Sequence, residues 1–272
     1  MRHQATVSGI AGLVTGSAAG FIGVGGGEFR IPVLIRVLGF SLHAAAGVNL
    51  IVGLFTVAVG AYRRLGQAAI SEDAMRLAAV MGLASIAGAA VGVISRKRLH
   101  VVLLGTIVQA YLVVAGIWML YESVAHAEHV LTNPAGALRW MVAGGIAFII
   151  AAISGVLGIA GGEMRIPALL YLFGMPIVQA GTLSLLVSIP TLGTGVVADR
   201  RLGGIPNAVL PLAAIMGIAS AVGVAIGAAA VPYASRDILK AVLGLVLLLS
   251  AFRLSPKREH ERGISEARLS HK

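Results

Sequence analysis

Apolar residues run along this chain in long blocks that polar residues interrupt at intervals. The blocks are Thr6–Val24, Ile31–Leu38, His43–Ala61, Ala74–Ile94, Val101–Tyr121, Trp140–Ile159, Ile166–Phe173, Ile177–Ala198, Ala208–Val231 and Ile238–Phe252. A helix needs about 20 apolar residues to cross a bilayer core, so most of these blocks predict membrane-spanning helices. Ile31–Leu38 and Ile166–Phe173 are too short to span, and each follows a glycine cluster. They predict half-helices, either the returning arms of re-entrant hairpins or pieces of broken spans. The longest polar stretch lies between the halves and contains Glu122, His126, Glu128, His129, Asn133 and Pro134. The chain therefore divides into residues 1–121, a linker at 122–139, residues 140–254 and a charged tail at 255–272.

The two halves carry the same motif. At an offset of 135 residues, Gly20–Pro32 (GFIGVGGGEFRIP) lies over Gly155–Pro167 (GVLGIAGGEMRIP), with eight of thirteen positions identical. The shared residues include Glu28 and Glu163, Arg30 and Arg165, and Pro32 and Pro167. The same offset brings Gly82, Ser85, Gly88 and Gly92 over Gly217, Ser220, Gly223 and Gly227. Composition bias explains matched glycines, but not Glu, Arg and Pro at matched spacing. The fold expected is an all-α polytopic membrane protein of two homologous repeats with broken or re-entrant helices. Re-entrant hairpins make three crossings per repeat and inverted halves, with Arg96, Lys97 and Arg98 cytoplasmic. Full first spans make four crossings and parallel halves. The reading favours inversion, although either arrangement leaves one basic cluster outside the cytoplasm.

Composition agrees with a membrane setting. Only 12% of residues are charged and mean hydropathy is +0.93, against about 25% charged residues in an ordinary soluble domain. The net charge of +10 sits at segment ends and in the tail, with six Lys/Arg after Ala251. That distribution fits the positive-inside rule rather than nucleic-acid binding. With no Cys, thiolate chemistry and disulfides are excluded. No His and carboxylate set has zinc spacing, and no Lys-Ser/Thr follows the glycines to make a nucleotide-binding loop. No cofactor, metal or catalytic residue is expected.

The repeated motif is the candidate site. Proline is tolerated in the first turn of a helix, so Pro32 and Pro167 are read as helix starts and the glycines upstream as non-helical backbone. A helix N-terminus at membrane depth points free N–H groups and a positive dipole end inward. Arg30 and Arg165 add full positive charge, and together these groups favour a small anion. The substrate-contacting set is Gly25, Gly26, Gly27, Glu28, Arg30, Pro32, Gly161, Gly162, Glu163, Arg165 and Pro167, with Asn49 and its counterpart Ser184. Ionisable residues in spans are expensive, roughly 2.5–3.5 kcal/mol each at the bilayer centre. Glu28 and Glu163 therefore pair with arginines, handle substrate or protons, or sit at the membrane boundary.

The motif GxxxGxxGxGGG followed closely by proline, at Gly16–Pro32, and its second copy at Gly155–Pro167, with Ala160 for one glycine, resembles the TauE/SafE family of sulfite and organosulfonate exporters. The resemblance extends from about Thr6 to Phe252 in size, duplication and segment order. It implies a multi-pass inner-membrane permease with two homologous halves and no enzymatic domain. Its expected partners are a small anionic substrate, sulfite or an organosulfonate, and membrane lipids, with a homo-oligomer left open. Export as a secondary transporter is the leading expectation. A channel-like anion pore, or a permease for another small solute, is the alternative.

Overall fold

The structure, a computed structural model, describes residues 2–67, 70–96, 101–126, 130–205 and 207–253. Side chains are described at all of these except residues 2, 3, 28, 42, 43, 101–103, 208 and 253. The described residues form ten α-helices and no strand: α1 (Arg2–Ile22), α2 (Gly27–Arg36), α3 (Leu42–Leu65), α4 (Glu72–Ser95), α5 (Val101–Ala125), α6 (Gly136–Leu157), α7 (Gly162–Phe173), α8 (Ile177–Arg201), α9 (Leu210–Ala230) and α10 (Arg236–Arg253). Ser41 and Ser71 cap α3 and α4, accepting from Ala44 N and Ala74 N. All helices except α2, α7 and α10 are long and apolar enough to cross a membrane. Large apolar side chains such as Leu83, Val114, Val124 and Met141 remain exposed on them. Outward-facing residues of this kind suit lipid rather than water, and the protein is a multi-pass membrane protein.

Small residues set the helix pairs. On α1, a Cβ at Gly12, Gly16 or Gly20 would strike the α9 backbone at Met216, Ser220 or Val224. On α4, Gly88 and Gly92 meet Phe148 and Ala152 of α6 in the same way. Such contacts bring backbones together where no water-driven force operates. Their order gives direction: α1 runs parallel to α9, and α4 parallel to α6. Phe55, Thr56 and Gly60 of α3 meet Gly217, Ser220 and Val224 of α9, so α3 is parallel to both α9 and α1. In contrast, Gly53, Gly60 and Gly195 place α3 antiparallel to α8, against Leu192, Leu185 and Leu50. Gly116 against Gly244, and Ser123 against Asp237, place α5 antiparallel to α10.

Because α1 and α3 run the same way, the chain between them must return, and α2 makes that return. Leu34 of α2, and Leu38 just after it, pack with Ala45 and Val48 near the start of α3. The α1–α2 hairpin thus enters and leaves on one face. Under the 135-residue offset α1 to α5 correspond to α6 to α10. The major contacts come in exchanged pairs: α1 with α9 and α6 with α4, α3 with α9 and α8 with α4, α2 with α3 and α7 with α8.

Two boundaries differ from those expected. The helices α2 and α7 begin at Gly27 and Gly162, so Pro32 and Pro167 lie in the second turn rather than at the start. The preceding Gly26 (φ 66°) and Gly161 (φ 75°) are left-handed caps, a conformation that glycine adopts without steric cost. They, not the prolines, set where each helix starts. Second, α5 runs through Glu122 to Ala125, so Glu122 belongs to a helix. The expected cytoplasmic placement of Lys97, and the tail at 255–272, fall outside the described residues.

Candidate functional site

The two glycine breaks meet at the middle of the molecule. A Cβ on Gly25 would collide with Ala160, its counterpart under the offset, and Gly162 stands against Val24. Each break is also held by the helix that follows in the other half or its own. Asn49 of α3 faces Gly27 and donates from Nδ2 to Gly158 O at 2.7 Å. Ser184 of α8 faces Gly162 in the equivalent way. The first turns of α2 and α7 therefore start on opposite sides of one crossing. Gly25, Gly26, Gly27, Asn49, Gly161, Gly162, Glu163, Arg165, Pro167 and Ser184 are buried there, while Pro32 is partly exposed. The side chain of Glu28 lies outside the described set.

The two arginines are used differently. Arg30, fully buried, turns back on its own break. It donates from Nε to Gly26 O at 3.1 Å, from Nη2 to Gly25 O, and from Nη1 to Thr56 Oγ1 at 3.1 Å. Thr56 in turn shares a hydrogen bond with Ser220 of α9 at 2.7 Å. Arg30 thus consolidates the first break. Arg165, equally buried, donates only from Nη1, to Ser184 O at 3.1 Å and Ser188 Oγ at 2.8 Å. Its Nε and Nη2 have no hydrogen-bond acceptor. Glu163 interacts with it electrostatically. Two further polar atoms beside the crossing, Ser184 Oγ and Asn49 Oδ1, are buried and without a hydrogen-bond partner. Arg165 and Ser184 can therefore each offer donors to a bound oxyanion.

The residue difference behind this asymmetry is small. Ser188 of α8 stands where the first half has Gly53, and Ala160 where it has Gly25. Ser188 gives Arg165 an acceptor on α8 that Gly53 does not give Arg30. Sequence reasoning passed over Ser188, whose signal was its place one turn after Ser184. It also missed one buried cation and two buried or part-buried ion pairs. Arg64 of α3 is buried, between Gly23 and Gly181. Arg96 of α4 pairs with the buried Asp199 of α8 at 2.7 Å and donates to Gly155 O at 2.7 Å. Glu122 and Lys240 form a buried pair at 3.1 Å, and Glu122 also accepts from Trp118 and Tyr171.

A cavity of about 560 Å³ lies behind α7, lined by residues such as Ile107, Tyr111, Val114, Trp118, Ile150 and Leu172. Its lining is almost wholly apolar and part of it, Ile107 and Val114, is exposed on the lipid-facing side. It suits an acyl chain rather than an anion, and the charged groups lie at the crossing instead. Among the described residues, no cluster of His, Asp and Glu could hold a metal ion.

The family model described as Sulfite exporter TauE/SafE matches residues 8–254. The chain belongs to the TauE/SafE family. A curated relative, a "Probable membrane transporter protein" of Xylella fastidiosa (strain Temecula1 / ATCC 700964), is 28% identical over 252 residues, covering 89% of this chain and 91% of the relative. No solved structure matches the chain. Like its TauE/SafE relatives the protein is a membrane transporter, not an enzyme. The family match runs from residue 8, within α1, to residue 254, just past the end of α10.

Proposed function

We propose that this TauE/SafE protein is a secondary permease of the inner membrane that exports a small oxyanion, sulfite or an organosulfonate, through the crossing of its two glycine breaks. The two halves act as duplicated, inverted units, and the crossing is where they meet. One observation carries this reading: Arg165 is fully buried, yet two of its guanidinium nitrogens have no acceptor. A guanidinium presents several donors in a planar fork that matches carboxylate-like and sulfo groups. A sulfur oxyanion placed against Arg165 and Ser184 Oγ would satisfy these groups. The first turns of α2 and α7 add backbone N–H donors near the same point. Broken helices meeting at mid-molecule are the arrangement by which transporters commonly build substrate sites.

The test is flux in proteoliposomes loaded with sulfite, sulfate, methanesulfonate or chloride, with and without a pH gradient. A carrier shows saturating flux that prefers a sulfur oxyanion over chloride and responds to an imposed gradient. Flux that rises linearly with concentration, without competition between substrates, would instead indicate a pore. Equal flux of all four anions would reject the selective site.

A further inference from the structure

We infer that Arg64 forms a second oxyanion-binding position, set between the central site and the membrane face at which α3 ends. Arg64 is 1% exposed. Its Nη2 lies 3.5 Å from Val178 O, a marginal contact, and its Nε and Nη1 have no hydrogen-bond partner. No carboxylate among the described residues forms an ion pair with it. Two glycines make room for it: a Cβ at Gly23 would lie 2.5 Å from Nη1, and one at Gly181 2.7 Å. Gly23 has a φ of 98° and ends the α1 side of the first break.

The position is continuous with the central site along one face of α8. Arg64 reaches Val178 and Gly181, while Arg165 reaches Ser184 and Ser188. These residues recur every three or four positions, so they line one helix face. With about 1.5 Å of rise per residue, the two guanidinium groups contact neighbouring turns of that face. At the opposite end, the matching place on α8 holds Asp199, which neutralises Arg96 at 2.7 Å. The offset sets Asp199 over Arg64. One mouth thus carries a cancelled charge and the other a buried cation that no carboxylate among the described side chains neutralises. A small oxyanion supplies the counter-charge and passes between Arg64 and Arg165. This inference rests on the anion-permease reading and adds a second site to it.

The test is binding of [³⁵S]sulfite to purified protein in nanodiscs, with Arg64→Gln, Arg165→Gln and the double variant, each checked for folding by its melting curve. Two sulfite equivalents per wild-type chain are expected, one in each single variant and none in the double variant. If folded Arg64→Gln keeps both equivalents, or if the wild type binds one that Arg165→Gln abolishes, the Arg64 site is wrong and the central site stands. If Arg165→Gln keeps both equivalents, the central reading fails instead. No wild-type binding of sulfite, or of methanesulfonate in competition format, overturns both. Should Arg64→Gln not fold, Arg64→Lys keeps the charge without the forked donors. It should bind the second equivalent about tenfold more weakly, the loss of one charged hydrogen bond. Unchanged affinity in that variant counts against the site.

Discussion

At the scale of single residues, the chain separates two arginines that its sequence makes look alike. Arg30 and Arg165 occupy matched positions, yet one grips the carbonyls of its own break and the other keeps donors unspent. Arg30→Gln should therefore act on folding. Losing charged hydrogen bonds at about 1.5–3 kcal/mol each lowers the melting temperature and the amount of protein in the membrane. Thermal melts of purified protein check this, and an unchanged melt would show that Arg30 does not hold the break. Glu163 belongs to the same scale. It is 1% exposed, next to Arg165 in both sequence and charge. We propose that it carries a proton in the cycle. Glu163→Gln should then abolish accumulation driven by a pH gradient while sparing exchange of sulfite for sulfite. Loss of both activities in parallel, with a lower melting temperature, would make Glu163 part of the scaffold. The sequence made the charged motif legible because Glu, Arg and Pro repeat at fixed spacing. It hid the asymmetry because Ser188 and Ala160, which accompany it, are unremarkable substitutions for Gly53 and Gly25.

At the scale of helices, glycines carry the packing. Gly16 sits where a Cβ would lie 2.8 Å from Ser220 Cα, and α1 has no alternative path past α9. Gly16→Leu should prise the pair apart, costing several degrees of melting temperature and most of the membrane-inserted yield. Gly145 on α6 has open space around its Cβ position. Gly145→Ala should be neutral or stabilising by up to about 1 kcal/mol, the helix-propensity difference. If the two variants melt alike, close backbone contact is not what joins α1 to α9. The long spans were readable from apolar block length, because a bilayer imposes that length on the sequence, and α2 and α7 as short blocks behind glycine clusters. Their exact ends were not. Proline at the second turn rather than the first, and Glu122 inside α5, depend on left-handed glycines and on the buried partner Lys240, which no local pattern announces. Arg64 was hidden for a related reason. Beside Arg63 it reads as a loop charge, yet it continues the Gly53, Val57 and Gly60 face that packs on α8.

At the scale of the whole molecule, we propose that helix direction favours inverted halves over the parallel topology that charge alone left open. Parallel α1 and α3, with antiparallel α3 and α8 and antiparallel α5 and α10, support that reading. The ends of α4, α8 and α10 then share one face, with Arg96, Arg200 and Arg201. We propose that this face is cytoplasmic by the positive-inside rule. Arg64, on the other side, does not break that rule, because it is buried rather than in a loop. A cysteine at exposed Gln67 should react with an impermeant maleimide in intact cells, and one at exposed Leu202 only after permeabilisation. The reverse pattern would invert the orientation, and equal labelling of both would contradict the separation of the two faces.

The account turns on one buried guanidinium at the crossing. The most direct measurement is sulfite flux into proteoliposomes carrying equal amounts of folded wild-type or Arg165→Gln protein. Removing one charged contact of about 1.5–3 kcal/mol corresponds to roughly a 10- to 150-fold loss of flux at low sulfite concentration. The account predicts that loss in protein that still folds, with a melting temperature lowered by the lost bonds to Ser184 and Ser188 and the lost charge beside Glu163. Wild-type flux in the folded Arg165→Gln protein would contradict it.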